Sequence, residues 1–403
     1  MQLYLTTLDN QYTKRTNLIS WVGGIDKIEL KQKLGEPAEL NIQVNRAFDN
    51  IWKIARDSNE IGLRLIDINS DIDIPFIKDD EGQTDTETAT NFKFVSFIRS
   101  IRNSKPYYNQ NQALSGFTFE NITALSSDII WQGTGSPNIQ ANYNTGSKNN
   151  FEILQELVKK VGWQYRENGM TSIQVPDINT QSLVLKSLPT VLLGDFSVLP
   201  VTRKITNWDT YNITDPKILN EPRRKSRVSS YKYTKVIGTL SGSGSGTGAI
   251  QLNQSVQQDA MYPIENLQIG NSFEMFINDY VQPIENQDYN SITIPMWQGA
   301  TAQDLYNLAL LEIEKRKVTY IYEFDIVSPT FIKAGEKIKI EYVSDTLPMF
   351  FETTVVESIY DYGTRFCKIT VCQNVNIDIN SQNIWQIQSA LITLKEQQTA
   401  PQN

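Results

Sequence analysis

Residues 318–343 read VTYIYEFDIVSPTFIKAGEKIKIEYV, and this stretch decides the fold class. Up to residue 326, every second side chain is apolar or aromatic: Val318, Tyr320, Tyr322, Phe324 and Ile326. This two-residue period predicts a β-strand with one buried face. Residues 328–336 break the strand and predict a turn in which Gly335 takes a positive φ. The alternation resumes over residues 337–343, which predicts a second strand.

The flanking sequence extends this pattern in both directions. Upstream, Thr301 and Asp304 form a helix start signal, and apolar residues recur at helical spacing as far as Ile313. Downstream, residues 351–360 and 365–375 are two further β runs. The turn between them contains Asp and Gly, which favour a tight hairpin. We therefore expect a helix and four strands, folded as a small antiparallel sheet or barrel with one side in a core.

This order of elements, with the phrase SPTFIKAGEKIKI at residues 328–340, resembles the last half-barrel of phage tail hub proteins. That family includes the trimeric baseplate hubs of contractile tails and the related part of type VI secretion spike proteins. The resemblance implies two similar barrels in one chain, the second split in sequence. It also implies that three copies form a ring of six barrels, on which a hexameric tail tube meets a trimeric central spike.

Composition limits the functions open to the chain. Its 403 residues are 40% hydrophobic and 20% charged, which is typical of a soluble globular protein with several domains. No apolar run approaches the ~18 residues that span a bilayer, and the first residues, MQLYLT, lack the pattern of a signal peptide. With 37 basic and 45 acidic residues the net charge is −8, so the chain as a whole does not attract nucleic acid. Such a charge suits a protein past which DNA slides.

The chain contains no histidine. This excludes Ser-His-Asp and Cys-His catalysis, zinc sites that need histidine, and any histidine acid–base step. The two cysteines, Cys367 and Cys372, lie five residues apart on a predicted strand and therefore on opposite faces. We expect two buried free thiols in a chain made in a reducing compartment.

Two stretches resemble ligand-binding motifs but lack residues that those motifs require. Residues 67–73 begin like a calcium-binding EF-hand loop, but Ile72 stands where glycine is needed and Lys78 where a bidentate Glu is needed. We therefore expect an acidic, solvated loop between two strands at residues 67–90. The glycine-rich residues 238–248 are followed by neither Lys-Ser nor Lys-Thr, so they predict a flexible hairpin tip and no phosphate site. The sequence thus predicts no catalytic residue, cofactor or metal.

The N-terminal half predicts a first barrel over residues 1–105. Its strands are an alternating hairpin across Gly35-Glu36-Pro37 and two further runs at 61–68 and 92–102. Residues 106–200 predict an α+β insert, since an amphipathic helix at 151–161 ends at Gly162 and leads into a strand.

The second barrel is predicted from residues 201–240 and 300–375, with 228–240 as its first strand. Residues 241–299 form an insert that packs with 106–200, and residues 376–403 form a C-terminal arm. The predicted fold class is mainly β with α+β inserts, built on two tube-like antiparallel β-barrel domains.

A basic cluster precedes the strand at 228–240: Arg223, Arg224, Lys225 and Arg227. A solvated loop is one interpretation. A contact with the acidic surface of a neighbouring subunit, or with the phosphates of passing DNA, is the other.

The resemblance implies a structural role in the virion tail. The expected partners are two further copies of the chain, tail-tube proteins, the central spike and other baseplate proteins, with DNA only in transit and no membrane insertion. A distal tail or receptor-binding adaptor of a non-contractile tail is an alternative. A glycan hydrolase that uses two carboxylates is another, with Asp79/Asp80 or Glu312/Glu314 as candidate pairs.

Overall fold

In a computed structural model, most of the residues that the structure describes lie in β-strands. The described residues are 1–7, 14–17, 24–45, 61–103, 113–115, 122–134, 142–144, 147–160, 162–176, 183–208, 215–227, 233–240, 272–278, 290–296, 319–344 and 349–372. They contain 22 strands, one α-helix and three short 3-10 helices. The fold is therefore mainly β, as the sequence predicts.

The first eleven strands are β1 (Gln2–Thr7), β2 (Lys14–Asn17), β3 (Ile25–Lys33), β4 (Glu39–Asn45), β5 (Ile61–Asp67), β6 (Ile72–Asp85), β7 (Ala89–Ser96), β8 (Ala113–Ser115), β9 (Ile130–Thr134), β10 (Asn142–Asn144) and β11 (Gln164–Pro176). The others are β12 (Leu183–Gly194), β13 (Val201–Thr206), β14 (Lys217–Ile218), β15 (Arg223–Arg227), β16 (Tyr233–Leu240), β17 (Ser272–Asn278), β18 (Asn290–Met296), β19 (Thr319–Val327), β20 (Lys337–Tyr342), β21 (Met349–Asp361) and β22 (Phe366–Cys372). The α-helix, α1, is Asn150–Lys160, and the 3-10 helices are Ile68–Ser70, Phe97–Asn103 and Phe196–Val198.

Fourteen strands form one sheet that consists of two groups of seven. The first group, β1 to β7, pairs in the order β2-β1-β5-β6-β7-β4-β3. The second group, β13 to β15 and β19 to β22, pairs in the order β14-β13-β20-β21-β22-β19-β15. Numbered within each group, both orders are 2-1-5-6-7-4-3. The chain thus repeats one strand order, and pairing of β21 with β3 joins the two groups.

The two groups differ at two places. In the second group β13 runs parallel to β14 and β20, whereas β1 is antiparallel to its partners, and β14 also pairs with β19. Six strands of the second group therefore form a closed cycle of pairings: β19, β22, β21, β20, β13 and β14. The third and fourth strands are joined by a tight turn in the first group, whereas residues 228–318 separate them in the second.

One hydrophobic core runs through both groups. Alternate side chains of β3 and β4 are buried, as are those of β20, because each strand has one apolar face. Leu30, Leu40 and Phe94 belong to the same buried cluster as Phe324 and Ile340. Burial of this apolar area is the main stabilising term for the sheet.

The insert between the groups has a core of its own. Helix α1 buries Ile153, Leu154, Leu157 and Val158 against β11, β12 and the 3-10 helix 97–103. Gly162 has φ +71° and Trp163 N–H donates to the Val158 carbonyl, which is a glycine helix end. The predicted helix, its stop and the strand that follows it are confirmed.

Three predictions are corrected. Residues 72–85, expected to lie in a solvated loop, form β6, because Ile72, Ile74 and Phe76 are buried on one face despite the acidic neighbours. The end of the predicted run at 92–102 is a 3-10 helix. The strand expected to begin the second barrel is β16, and it pairs with β17 and β18 in a separate three-stranded sheet. The predicted helix that begins at Thr301, residues 241–248 of the predicted glycine-rich tip and the arm at 376–403 lie outside the described residues.

Candidate functional site

The junction between the two groups of strands is the candidate site. Residues Glu29–Lys33 of β3 pair antiparallel with Glu357–Asp361 of β21. Backbone hydrogen bonds extend this ladder at both ends, from Leu34 N–H to the Val356 carbonyl and from Tyr362 N–H to the Ile28 carbonyl. We call this ladder the seam.

A lysine lies among carboxylates on the seam. Lys31 Nζ lies 3.5 Å from Glu357 on β21 and 3.8 Å from Glu39 on β4. Partial burial acts to lower the pKa of Lys31, but the attraction of Glu39 and Glu357 outweighs it and the pKa is raised. The charge of Lys31 therefore favours the paired state of the seam.

The loop before β20 packs against one end of the seam. Gly335 has φ +80°, as the sequence predicts, and its N–H donates to the Val355 carbonyl at 2.6 Å. A Cβ at this position would lie 2.3 Å from Cδ1 of Phe196, which is fully buried. Only glycine fits here without a shift of the neighbouring ring.

Two charged residues of the insert reach into the seam. Arg166 on β11 is buried, and its Nη1 donates to the Ala334 carbonyl at 2.6 Å while its guanidinium lies over the Phe196 ring, 5.5 Å from the ring centroid. Burial lowers the pKa of Arg166 to about 10, although Glu336, Glu167 and Asp71 oppose this shift. Arg166 stays charged at neutral pH, and it ties the insert to the second group of strands.

Glu167 ties the insert to the first group of strands. Its Oε1 accepts hydrogen bonds from the Ser96 hydroxyl and from Ala38 N–H, the latter at 3.2 Å. Its backbone carbonyl accepts from Gln32 Nε2, and Gln32 Oε1 accepts from Ala334 N–H. Burial raises the pKa of the Glu167 carboxyl, and Oε2 has no hydrogen-bond partner within the described part of the chain. A single hydrogen-bond network thus joins both groups of strands and the insert.

A second link uses the stretch that resembles a calcium loop. Lys333 Nζ donates to the Asp71 carbonyl at 2.7 Å and to Asp71 Oδ2 at 2.9 Å. Asp73 accepts two hydrogen bonds from Arg64, and the Ser70 hydroxyl donates to Asp67. Each of these carboxylates is therefore paired with a side chain of the protein itself. No group of three or more Cys, Asp or Glu side chains among the described residues is arranged to hold a metal.

The basic cluster predicted as a contact site forms β15. It pairs with β19 on one side and ends the order of the large sheet. Arg223 is half exposed and lies 3.5 Å from Glu323 and 3.2 Å from Asp325. Arg224, Lys225 and Arg227 continue the same edge strand. Among the described strands the cluster is therefore an edge strand, which replaces the interpretation of these residues as a solvated loop.

Sequence reasoning missed the seam residues. Arg166 and Glu167 stand in an ordinary-looking strand, and their partners lie far away in the chain: Glu167 binds Gln32, 135 positions earlier, and Arg166 binds Ala334, 168 positions later. The one signal in the sequence was a pair of adjacent charged residues in the predicted strand that follows Trp163.

The fold is similar to those of several solved tail proteins, among them two from prophages. The tail protein from Neisseria meningitidis MC58 has a TM-score of 0.54 at 7% identity, with 92% of this chain and 96% of that chain covered. The prophage tail protein gp18 from Listeria monocytogenes EGD-e has a TM-score of 0.52 at 11% identity, with 97% and 99% covered. The 43 kDa tail protein of prophage MuSo2 from Shewanella oneidensis has a TM-score of 0.52 at 12% identity, with 94% and 100% covered.

Sequence comparison alone gives no match, since neither a protein-family model nor a curated protein matches the chain. Within the described residues, no helix has the length and apolar character needed to cross a membrane. The structural similarity extends over nearly the whole of this chain and of each tail protein. The chain therefore has the fold of phage tail proteins, in agreement with the resemblance found in its sequence.

Proposed function

We propose that the chain is a structural baseplate hub, in which three copies form a ring that joins the tail tube to the central spike. The observation that carries this proposal is the repeated strand order, 2-1-5-6-7-4-3, in two groups held edge to edge by the seam. Two similar modules per chain, taken three times, offer six similar surfaces to a hexameric tube. The inserts, which differ between the modules, leave a threefold surface for a trimeric spike.

In this proposal each group of strands is a barrel-like module. The first takes residues 1–105, and residues 106–200 form the insert that locks the seam. The second takes residues from 201 onward and 300–375, interrupted by the 241–299 insert. We place β16 with that insert, because it pairs only with β17 and β18 among the described strands. Residues 376–403 are the C-terminal arm of this proposal.

The buried network explains how such a module pair keeps its shape. A hub transmits load between tube and spike, so its two modules must hold a fixed angle. The seam, Arg166 and Glu167 fix that angle through backbone pairing and buried hydrogen bonds, which are costly to break once water is excluded. The role requires neither catalysis nor a cofactor. Its partners are tube proteins, the spike and other baseplate proteins in the virion, assembled in the host cytoplasm, with DNA passing through the ring.

Light scattering tests the proposal. The expected mass of the chain alone is three times the 45.9 kDa of one chain, and with a trimeric spike protein it is that mass plus the mass of the spike trimer. Top views in the electron microscope should show six lobes. A monomer under both conditions would contradict the proposal. It would leave the distal tail or receptor-binding adaptor as the better candidate.

The glycan hydrolase has its own test. Asp79, one member of a candidate carboxylate pair, already lies 3.6 Å from Arg99 Nη1, which is an arrangement suited to an ion pair. Purified chain added to peptidoglycan should leave the turbidity unchanged. A loss of turbidity that disappears in the Asp79→Asn, Asp80→Asn double variant would assign the activity to this pair.

A further inference from the structure

The repeated strand order makes each residue of one module comparable with a residue of the other. In β21 the first six residues pair with β20, and the ladder with β22 then shifts between Val355 and Glu357. In β6 the first six residues pair with β5, and the ladder with β7 then shifts between Lys78 and Gln83. Before the shift, Val355 pairs with Val371 and Lys78 with Phe94; after it, Ser358 pairs with Ile369 and Gln83 with Phe92. Both ladders thus advance by two residues on the partner strand across the bulge, so Ser358 corresponds to Gln83.

The same comparison relates β3 to β15. Glu29 pairs with Asn41 of β4, and Asn41 pairs with Lys93 of β7. In the second module Arg223 pairs with Glu323 of β19, and Glu323 pairs with Thr370 of β22. Residues Glu29–Lys33, which make the seam, therefore correspond to Arg223–Arg227, the whole of β15.

The two modules have two equivalent pairs of edges, and the described part of the chain pairs one of them. Within the chain, β3 of the first module pairs with the second half of β21. The counterpart would join β15 of a second module to the second half of β6 of a first module. Beyond Ile77, β7 is the one described strand that pairs with β6, and β15 pairs only with β19 among the described strands. Both edges needed for the counterpart are thus present.

The charges of these two edges are complementary. Residues 79–87, which cover the second half of β6 and the following turn, read DDEGQTDTE and carry five acids and no base. Strand β15 reads RRKSR and carries four bases and no acid. Opposite charges on facing strands stabilise their pairing, whereas two copies of either edge would repel each other. The partner of β15 is thus best matched by the acidic edge of another copy.

We propose that β15 of one copy pairs antiparallel with the end of β6 in the next copy, which repeats the seam between subunits and closes the ring. The inference rests on the proposed trimeric hub and specifies its interface. Transfer of the seam register, in which Ser358 faces Gln32, places Ser226 opposite Gln83, Lys225 opposite Thr84 and Arg224 opposite Asp85. The basic cluster then serves as a subunit contact.

Cysteine cross-linking tests this register. Facing residues in an antiparallel pair have Cα atoms ~4.5–5.5 Å apart, which a disulfide can bridge. The double variant Ser226→Cys, Gln83→Cys should form covalent dimers and trimers on oxidation, seen on a non-reducing gel. The matched control replaces Ser226→Cys by Ser172→Cys, at an exposed position of β11 in the insert, and should form none. The native Cys367 and Cys372 are buried, and they are present in both the test variant and the control.

Charge reversal gives a second test. Arg224→Glu should raise the concentration needed for assembly roughly tenfold or more, because a like charge then faces Asp85. Adding Asp85→Lys should restore assembly. Rescue by the second substitution separates loss of the interface from misfolding.

The outcomes separate this inference from the proposed function. A trimer by light scattering that neither cross-links nor responds to charge reversal would overturn the strand pairing and leave the hub proposal standing. A chain that stays monomeric with a spike protein would overturn both. A reversal variant that assembles normally but loses retention of short duplex DNA would assign β15 to DNA and overturn the inference.

Discussion

Substitution of Gly335 by alanine is the sharpest test of the seam. Gly335 has φ +80°, and an L-residue in this left-handed region costs about 1–2 kcal/mol. The added Cβ would lie 2.3 Å and 2.7 Å from two carbons of the Phe196 ring and 3.1 Å from Leu34 Cδ2. Overpacking of this kind costs about 1–3 kcal/mol. We therefore expect the free energy of unfolding to fall by about 2–5 kcal/mol.

The ring of Phe196 cannot move away at low cost. It is fully buried, and the Arg166 guanidinium lies against it. The Phe196→Ala variant removes both clashing carbons, so its combination with Gly335→Ala should lose less stability than the two single changes together. Gly335→Val should be worse than alanine, because its branched side chain adds two carbons to the same place.

Urea unfolding followed by tryptophan fluorescence and circular dichroism measures these changes. Gly363→Ala is the matched control, because Gly363 lies in an exposed turn without a positive φ and its added Cβ would meet only Asp361 Oδ1 at 3.2 Å. The control should stay within about 0.5 kcal/mol of the wild type. A Gly335→Ala variant that loses less than about 1 kcal/mol would refute the close packing of this loop against the seam.

Three further predictions concern buried polar groups. Burial raises the pKa of the Glu167 carboxyl, so its contribution to stability is complete below the unfolded pKa and is lost as the pH rises through the raised folded pKa. Over that pH window, Glu167→Gln should therefore gain stability relative to the wild type. A difference in unfolding free energy that does not change with pH would contradict the burial of this carboxyl. Arg166→Met should cost about 2–4 kcal/mol in urea unfolding, because the Ala334 carbonyl loses its charged donor; a cost below about 1 kcal/mol would show that water replaces the guanidinium. Burial raises the pKa of the Cys367 thiol to about 11, so Cys367 and Cys372 should react with a thiol reagent only on unfolding; rapid labelling of the native chain would place a thiol at the surface.

Most strands could be predicted from the sequence, because their signals are local. The alternation that defines β19 to β22 and the hairpin across Gly35 are read from neighbouring residues, and the structure confirms them. Strand β6 was missed because its acidic end and Pro75 hide the buried Ile72, Ile74 and Phe76. The basic cluster was recognised as a contact candidate, but its position at a sheet edge depends on pairing with β19, about a hundred residues later.

The sequence by itself determined the β-rich class, the helix that ends at Gly162 and the glycine that turns at residue 335, because each follows from the side chains within a few residues. The tertiary structure alone decided which strands pair, and hence the repeated strand order and the seam. Strand pairing uses backbone groups that every residue carries, so the sequence does not encode a partner locally. Burial of Arg166 and Glu167 likewise depends on three distant segments that meet only when the chain has folded.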